Sequence, residues 1–313
     1  SGSKRGKVSV FMSVFDPYPF SQFEKGVESV MSQTLKEWEL LIYNDGSSGE
    51  YRERILRLAE RDPRIRYLEG SVNRGIAYGL NQCIRHAEGR FLARMDADDI
   101  SLPERLERQT EFLEQHPEYD YVGCSAFLIS GEEIWGRRSM PERPKKEDFL
   151  PYSPFIHPSV TFRREVFEKY GGYSLSRQML RCEDYDLFMR LYISGSYGYN
   201  LQEELFCYRE DRESFRKRRL RFRLDETRLR SKWFSRMGLG GVKGLLYRYR
   251  PLAGGLLPAG ICRGIKRYQA SDLQTGSSVP GLSVQGHLEE ENRKAAIAME
   301  MERKDGERIP SYN

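Results

Sequence analysis

The sequence predicts an α/β fold, a mostly parallel, Rossmann-like sheet flanked by helices. Three observations carry that expectation. Over the first hundred residues, short apolar runs alternate with segments of helical spacing, the rhythm of βαβ units. The turns that follow these runs are rich in Asn, Asp and Gly. Carboxylates collect where the runs end, at Asp16, at Asp45, and at Asp96 with Asp98. In open sheets of this kind ligands bind beyond the carboxyl ends of the strands.

Each element follows in order. "KVSVFMSVF" (7–15) is short, β-rich and bounded by "DPYP", and reads as a buried strand. Residues 21–34 have helical spacing at Phe23, Val27, Val30 and Met31, with Ser21 and Glu24 spaced as a capping box. "EWELLIYNDGSS" is a strand running into a turn, 50–61 a helix, "RIRYLE" a strand, "GIAYGLNQCIRHAEG" a helix and "RFLARM" a strand. "LPERLERQTEFLEQHP" is a helix and "YDYVGCSAFLI" a strand. A Pro-rich connection, "PERPKKEDFLPYSPFIHPS", leads to a strand and short helix in "SVTFRREVFEKYGGY". "EDYDLFMRLYISG" is a helix and "YGYNLQEELFCYRE" a closing strand. No internal repeats occur. Residues 270–286 read as a Ser- and Gly-rich linker and 287–306 as a charged helix.

The 313 residues allow one large domain with an appendage. Five scattered cysteines without ligand spacing read as reduced thiols of a cytosolic protein, not as a disulfide framework. The opening "SGSKRGK" has no apolar core, so no signal peptide is expected, and it reads as a remnant of expression. The longest uncharged apolar run, "PLAGGLLPAGIC", has twelve residues, short of the ~20 that a membrane span needs. Net charge is +5, but residues 212–268 alone carry +14 and the rest −9, which points to two kinds of partner surface.

"MDADD" places three acids in four residues at a strand end. In extended chain Asp96 and Asp98 project to one side, roughly 6–7 Å apart. That spacing suits a division of labour: one carboxylate takes a divalent ion, the other hydrogen-bonds a sugar hydroxyl. Hard oxygen ligands select Mg²⁺ or Mn²⁺. The structural alternative makes these acids turn residues, with Asp99 or Ser101 capping the helix that begins near Pro103. "NDGSS" alone is a common turn, Glu183 and Asp184 alone suit any helix N-terminus, and a lone His157 is more often a structural hydrogen-bonder than a ligand. The glycines of "NRGIAYGLN" do not form a dinucleotide fingerprint.

Taken in order, "SVF", "NDGSS", "NRG", "DADD" with "LPxRL", "HPS", "GGY" and "EDYDL" resemble the family 2 glycosyltransferases of GT-A fold, of the bacterial surface and exopolysaccharide type. The resemblance spans residues 7 to about 210. It implies a GT-A catalytic domain over 7–211, with a nucleotide-binding half at 7–100 and an acceptor half at 101–211. By that resemblance Ser13, Phe15, Asp45, Arg74 and Asp96 bind the donor nucleotide, with Phe15 packing on the base. Asp98 holds Mn²⁺ or Mg²⁺, Asp184 is the general base on the acceptor hydroxyl, and Asp99, His157 and Glu183 support them. Where the family often has Pro-x-Tyr-Asn, this chain has "SVFD", with Asp16 in place of the Asn. The expected activity is inverting transfer from a nucleoside-diphosphate sugar, uridine-linked, to a glycan on a lipid carrier. The rivals are a nucleotidyltransferase, which also uses paired aspartates and a metal, and a catalytically silent binding module.

Residues 212–269 form the expected C-terminal helical extension. Phe215, Phe222, Leu229 and Trp233 fall on one helical stripe among Arg and Lys, which suits an anionic bilayer surface. The expected location is the cytoplasm, peripheral to the inner face of the membrane. A solvated helix packed on the catalytic domain is the structural alternative. Nucleic acid is not an expected partner, because no recognition motif accompanies the charge.

Overall fold

A computed structural model describes residues 8–176, 181–210 and 220–256. Phe215 and the expectations for 257–313 lie outside them. The order is β1 (Val8–Val14), α1 (Phe20–Met31), β2 (Trp38–Asn44), α2 (Gly49–Ala59), β3 (Ile65–Glu69), α3 (Ile76–His86), β4 (Phe91–Arg94), β5 (Ile100–Ser101), α4 (Arg105–Gln115), β6 (Tyr121–Ser130), β7 (Glu133–Arg138), β8 (Thr161–Arg163), α5 (Arg164–Tyr170), α6 (Glu183–Ile193), β9 (Gly198–Arg209), α7 (Leu220–Arg236) and α8 (Gly241–Leu256).

The strands join one sheet in the order β3-β2-β1-β4-β8-β6-β9-β5, with β7 paired to β6. The pairs β3–β2, β2–β1 and β1–β4 are parallel, as the βαβ rhythm requires. Beyond β4 the direction alternates: β8 runs antiparallel to β4 and β6, while β6 and β9 are parallel. Strand order reverses between β1 and β4, and such a reversal opens a crevice at the strand ends. The chain puts Ser13 and Phe15 at one lip of it and the acidic run at the other.

Two apolar clusters fill the faces of the sheet. One gathers β1, β2 and β4 with α1, α2 and α4. The other packs α3, α5 and α6 on the opposite face and also takes Leu229, Trp233 and Phe234 from α7 and Met237 from just beyond it. Half of the aromatic stripe expected to face lipid is therefore in the core: Leu229 and Trp233 are buried, and the Trp233 indole N–H donates to Asp186 Oδ1 at 2.8 Å. The physical reason is that α6 presents an apolar face that the catalytic sheet alone leaves uncovered.

Candidate active site

The acidic loop is held from behind. α1 meets it at Gly26, where an added Cβ would stand 2.8 Å from the Ala97 carbonyl oxygen and 3.1 Å from that of Asp99. Ser29 Oγ accepts the Ser101 N–H at 3.0 Å, and the Gln33 amide donates to the Leu102 carbonyl at 2.8 Å. Ser101 is thus part of a short strand. Neither it nor Asp99 caps α4, whose N-cap position is Glu104 and has no side-chain cap bond. The Ser21–Glu24 capping box is also absent, since α1 starts one residue earlier behind Pro19. Arg105, from "LPxRL", is fully buried and donates to the Arg94 carbonyl at 2.8 Å, bracing the end of β4; burial pulls its pKa down to about 10.

The three acids have different surroundings. Asp96 is half-buried and pairs with the Arg94 guanidinium at 2.7 Å. Asp98 is exposed but recessed; desolvation by the surrounding protein, then the charge of Asp96, raise its pKa. Asp99 is buried, and its Oδ1 accepts the Arg209 N–H at 2.7 Å. Its Oδ2 has no hydrogen-bond partner among the described residues. Burial, then Asp96 and Asp98, push Asp99 well above the usual carboxylate range. Crowded, partly desolvated carboxylates with a free buried oxygen are a donor set that fits a hard divalent cation. Among the described residues no three His, Cys, Asp or Glu side chains converge as a closed metal cage. An ion held here would take most of its ligands from phosphate and water.

At the ends of β1 and β2 the expected nucleotide residues lie close together. Asp45 is buried; its Oδ1 accepts the Arg74 N–H at 3.0 Å and its Oδ2 the Gly75 N–H at 2.7 Å. Burial raises its pKa and these two bonds oppose the shift. Asp45 therefore ties the "NDGSS" turn to the "NRG" loop. Gly46, at φ +85°, makes the joint possible, because a Cβ there would meet the Val72 and Asn73 backbone within 2.6 Å. The Arg74 guanidinium stacks over Tyr78 at 4.7 Å. Ser13 is half-buried at the end of β1, and the Phe15 ring is 49% exposed, free to take a planar ligand.

The remaining expected site residues gather around Arg94. This guanidinium is 1% exposed, and its Nε and Nη1 have no hydrogen-bond partner among the described residues. Asp96, Tyr173, Asp99, His157 and Glu183 all lie within its electrostatic reach. His157 sits in a short turn after the Pro-rich connection, and its Nε2 is 2.7 Å from the Tyr173 hydroxyl. Burial, then Arg94, hold its pKa well below the usual value, so it is neutral. Burial raises the Tyr173 hydroxyl far above its usual range, with Asp184, Glu183 and Asp96 adding to the shift. Tyr173, from "GGY", is fixed by a reciprocal pair with Asn81 of α3: its N–H donates to Asn81 Oδ1 at 2.8 Å and its carbonyl accepts from Nδ2 at 2.9 Å.

α6 supplies the last two acids. Its first turn carries Glu183, Asp184 and Asp186, where the helix dipole favours the ionised form. Asp186 is committed to Trp233, and the Tyr185 hydroxyl to the Phe149 carbonyl. Glu183 and Asp184 instead share the electrostatic surroundings of Tyr173. Burial, then Asp184, raise the pKa of Glu183. Sequence reasoning missed Arg94 and Tyr173. The signal for Arg94 was a charge inside the apolar run "RFLARM", which must find a buried partner.

Comparison with known proteins adds to this geometry. The model of glycosyl transferase family 2 matches residues 9–171. The chain is 33% identical to the putative glycosyltransferase EpsE of Bacillus subtilis, over 82% of this chain and 91% of that one. It is 30% identical to the O-antigen biosynthesis glycosyltransferase WbnJ of Escherichia coli, over 69% and 84%. Among solved structures it is similar to S. aureus TarS 1-349 in complex with UDP, with TM-score 0.57 and 16% identity over 80% of this chain and 70% of that one. It is also similar to the mannosyltransferase PcManGT of Pyrobaculum calidifontis in complex with GDP-Man and Mn2+, with TM-score 0.54 and 16% identity over 94% and 86%. The structural likeness shows the expected GT-A architecture. With the family model covering more than half of the chain and a one-third-identical relative spanning most of both, the protein belongs to glycosyl transferase family 2.

Proposed function

We propose that the protein is an inverting, metal-dependent glycosyltransferase that moves a sugar from a uridine-diphosphate donor to a hydroxyl of a lipid-linked glycan during surface polysaccharide synthesis, at the cytoplasmic face of an anionic membrane. The observation that carries it is that Asp96, Asp98 and Glu183 lie within electrostatic reach of one buried guanidinium, Arg94, with Asp184 beside Glu183. The O-antigen role in the name of WbnJ supports the polysaccharide, and the UDP held by TarS supports the base.

In this reading Phe15 stacks on the base while Asp45 and Arg74 shape the pocket beside it. Asp96, oriented by Arg94, accepts from the ribose, and Asp98 would hold the divalent ion. Mn²⁺ or Mg²⁺ held by Asp98 would supply Lewis-acid stabilisation of the charge that grows on the leaving diphosphate. Asp184 takes the proton of the attacking hydroxyl. Attack from the face opposite the leaving group inverts the anomeric carbon. Neutral His157 and Tyr173 hold the floor between the two sets without adding charge.

Calorimetry of UDP binding with Mn²⁺ and with a chelator tests the donor side. Affinity should fall by about tenfold or more without the ion, and Asp98→Asn should abolish most of the difference. Equal affinity in both conditions would remove the metal assignment. Release of pyrophosphate rather than a nucleoside diphosphate during turnover would replace glycosyl transfer with nucleotidyl transfer.

A further inference from the structure

α8 carries its apolar stripe on the outside. Val242, Leu245, Leu246 and Tyr249 repeat at helical spacing and are 77%, 53%, 66% and 49% exposed. The other face is the packed one. Gly244 and Pro251 are buried there, and the Tyr247 carbonyl accepts from Arg230 at 3.2 Å. A surface helix ordinarily turns such a stripe inward, so a contiguous outward stripe marks a contact surface.

The charge around the stripe selects the contact. Lys232, Arg236, Lys243 and Arg250 are exposed on the hairpin, and residues 220–256 carry a net charge of +7. The position of the hairpin also matters. Arg223 of α7 donates to the Pro251 carbonyl at 2.9 Å, which brings the last turns of α8 beside the start of α7. There Phe222 lies under the Arg181 guanidinium at 5.3 Å, two residues before Glu183. The apolar stripe, about 10 Å from Val242 to Tyr249 at 1.5 Å per residue, thus lies on a helix whose last turns reach the side of the molecule that bears Asp184.

We propose that the outer face of α8 seats in the interface of an anionic lipid bilayer and lays the acceptor side of the enzyme against the membrane, so that a lipid-anchored acceptor reaches Asp184 without leaving the bilayer. Apolar side chains enter the headgroup boundary while the flanking Lys and Arg meet anionic headgroups. The acceptor part rests on the transfer reaction proposed above; the membrane contact does not.

Flotation of the full chain with vesicles of phosphatidylcholine, with and without phosphatidylglycerol, tests this. The chain should float only with anionic vesicles. Leu245→Gln with Leu246→Gln should weaken flotation by about tenfold or more, with melting temperature and donor hydrolysis unchanged because both side chains are exposed. Equal flotation of the two proteins, or none by the unaltered chain, overturns the proposal. So does a variant that melts lower, which would mean that residues 257–313 cover the stripe, or one that halves in mass by light scattering, which would mean that a second copy does. Donor hydrolysis in the same samples keeps the readings apart. Hydrolysis without flotation overturns the membrane face alone, and flotation without hydrolysis overturns the transfer reaction alone.

Discussion

Arg94 is a cation sealed under an acidic surface, and it explains why its neighbours behave unlike one another. It pairs with Asp96 and, after burial, adds to what holds His157 neutral, while Asp184 stands in the first turn of α6. Asp184→Asn should keep UDP affinity and lose transfer by a factor of about 10² to 10⁴; near-normal transfer by a folded variant would move the role to Glu183. His157 yields a test of pH. The unfolded chain takes up a proton as pH falls through about 6.5, whereas the folded protein does so only well below that. Stability from this group is therefore intact above about pH 6.5 and declines beneath it. His157→Gln, which has no such proton to refuse, should lose less melting temperature than the unaltered protein between about pH 7.5 and 5.5; parallel curves would rule this out. At this scale the acids were legible because they break the pattern of the strands that bear them. Tyr173 was not assigned because its partners, Asn81 of α3 and His157, come near only in the fold, and Arg94 was not because its burial beneath the acids is a tertiary fact.

Among the elements, α1 and the acidic loop depend on each other. Gly26→Ala would push a methyl into two backbone carbonyls that cannot rotate away. It should cost about 1–3 kcal/mol of stability and weaken metal-dependent UDP binding, since the loop bearing Asp98 must shift. Unchanged affinity would show that the loop position is not critical. The βαβ run through β4 could be read from spacing alone because each strand there is a short apolar block. β7 could not, because "EIWGRR" is polar and half-exposed at an edge and resembles a loop. Helical periodicity revealed an apolar stripe in the basic segment but not which helix buries its own. α7 turned out to bury Leu229 and Trp233, and α8 to expose Val242 and Leu246.

Across the whole molecule, α7 and the turn that follows it complete the core rather than decorate it. Leu229, Trp233, Phe234, Met237 and Leu239 are all buried against the catalytic sheet's helices. At roughly 1.5–3 kcal/mol for each, their loss approaches the 5–15 kcal/mol that typically separates folded from unfolded protein. A chain ending at residue 211 should aggregate or bind a hydrophobic dye, and a cooperative melt close to that of the full chain would contradict this. The bond between Asp99 and the Arg209 amide, across 110 positions, has a consequence for synthesis. A ribosome extends the chain from its N-terminus, so "DADD" emerges long before the strand that fixes it. A nascent chain halted near residue 180 has β1 to β8 but lacks both the β9 clasp and α6, which carries the proposed base. Unfinished chains should therefore consume no sugar nucleotide: the enzyme becomes active only after the last strand of its sheet has been made.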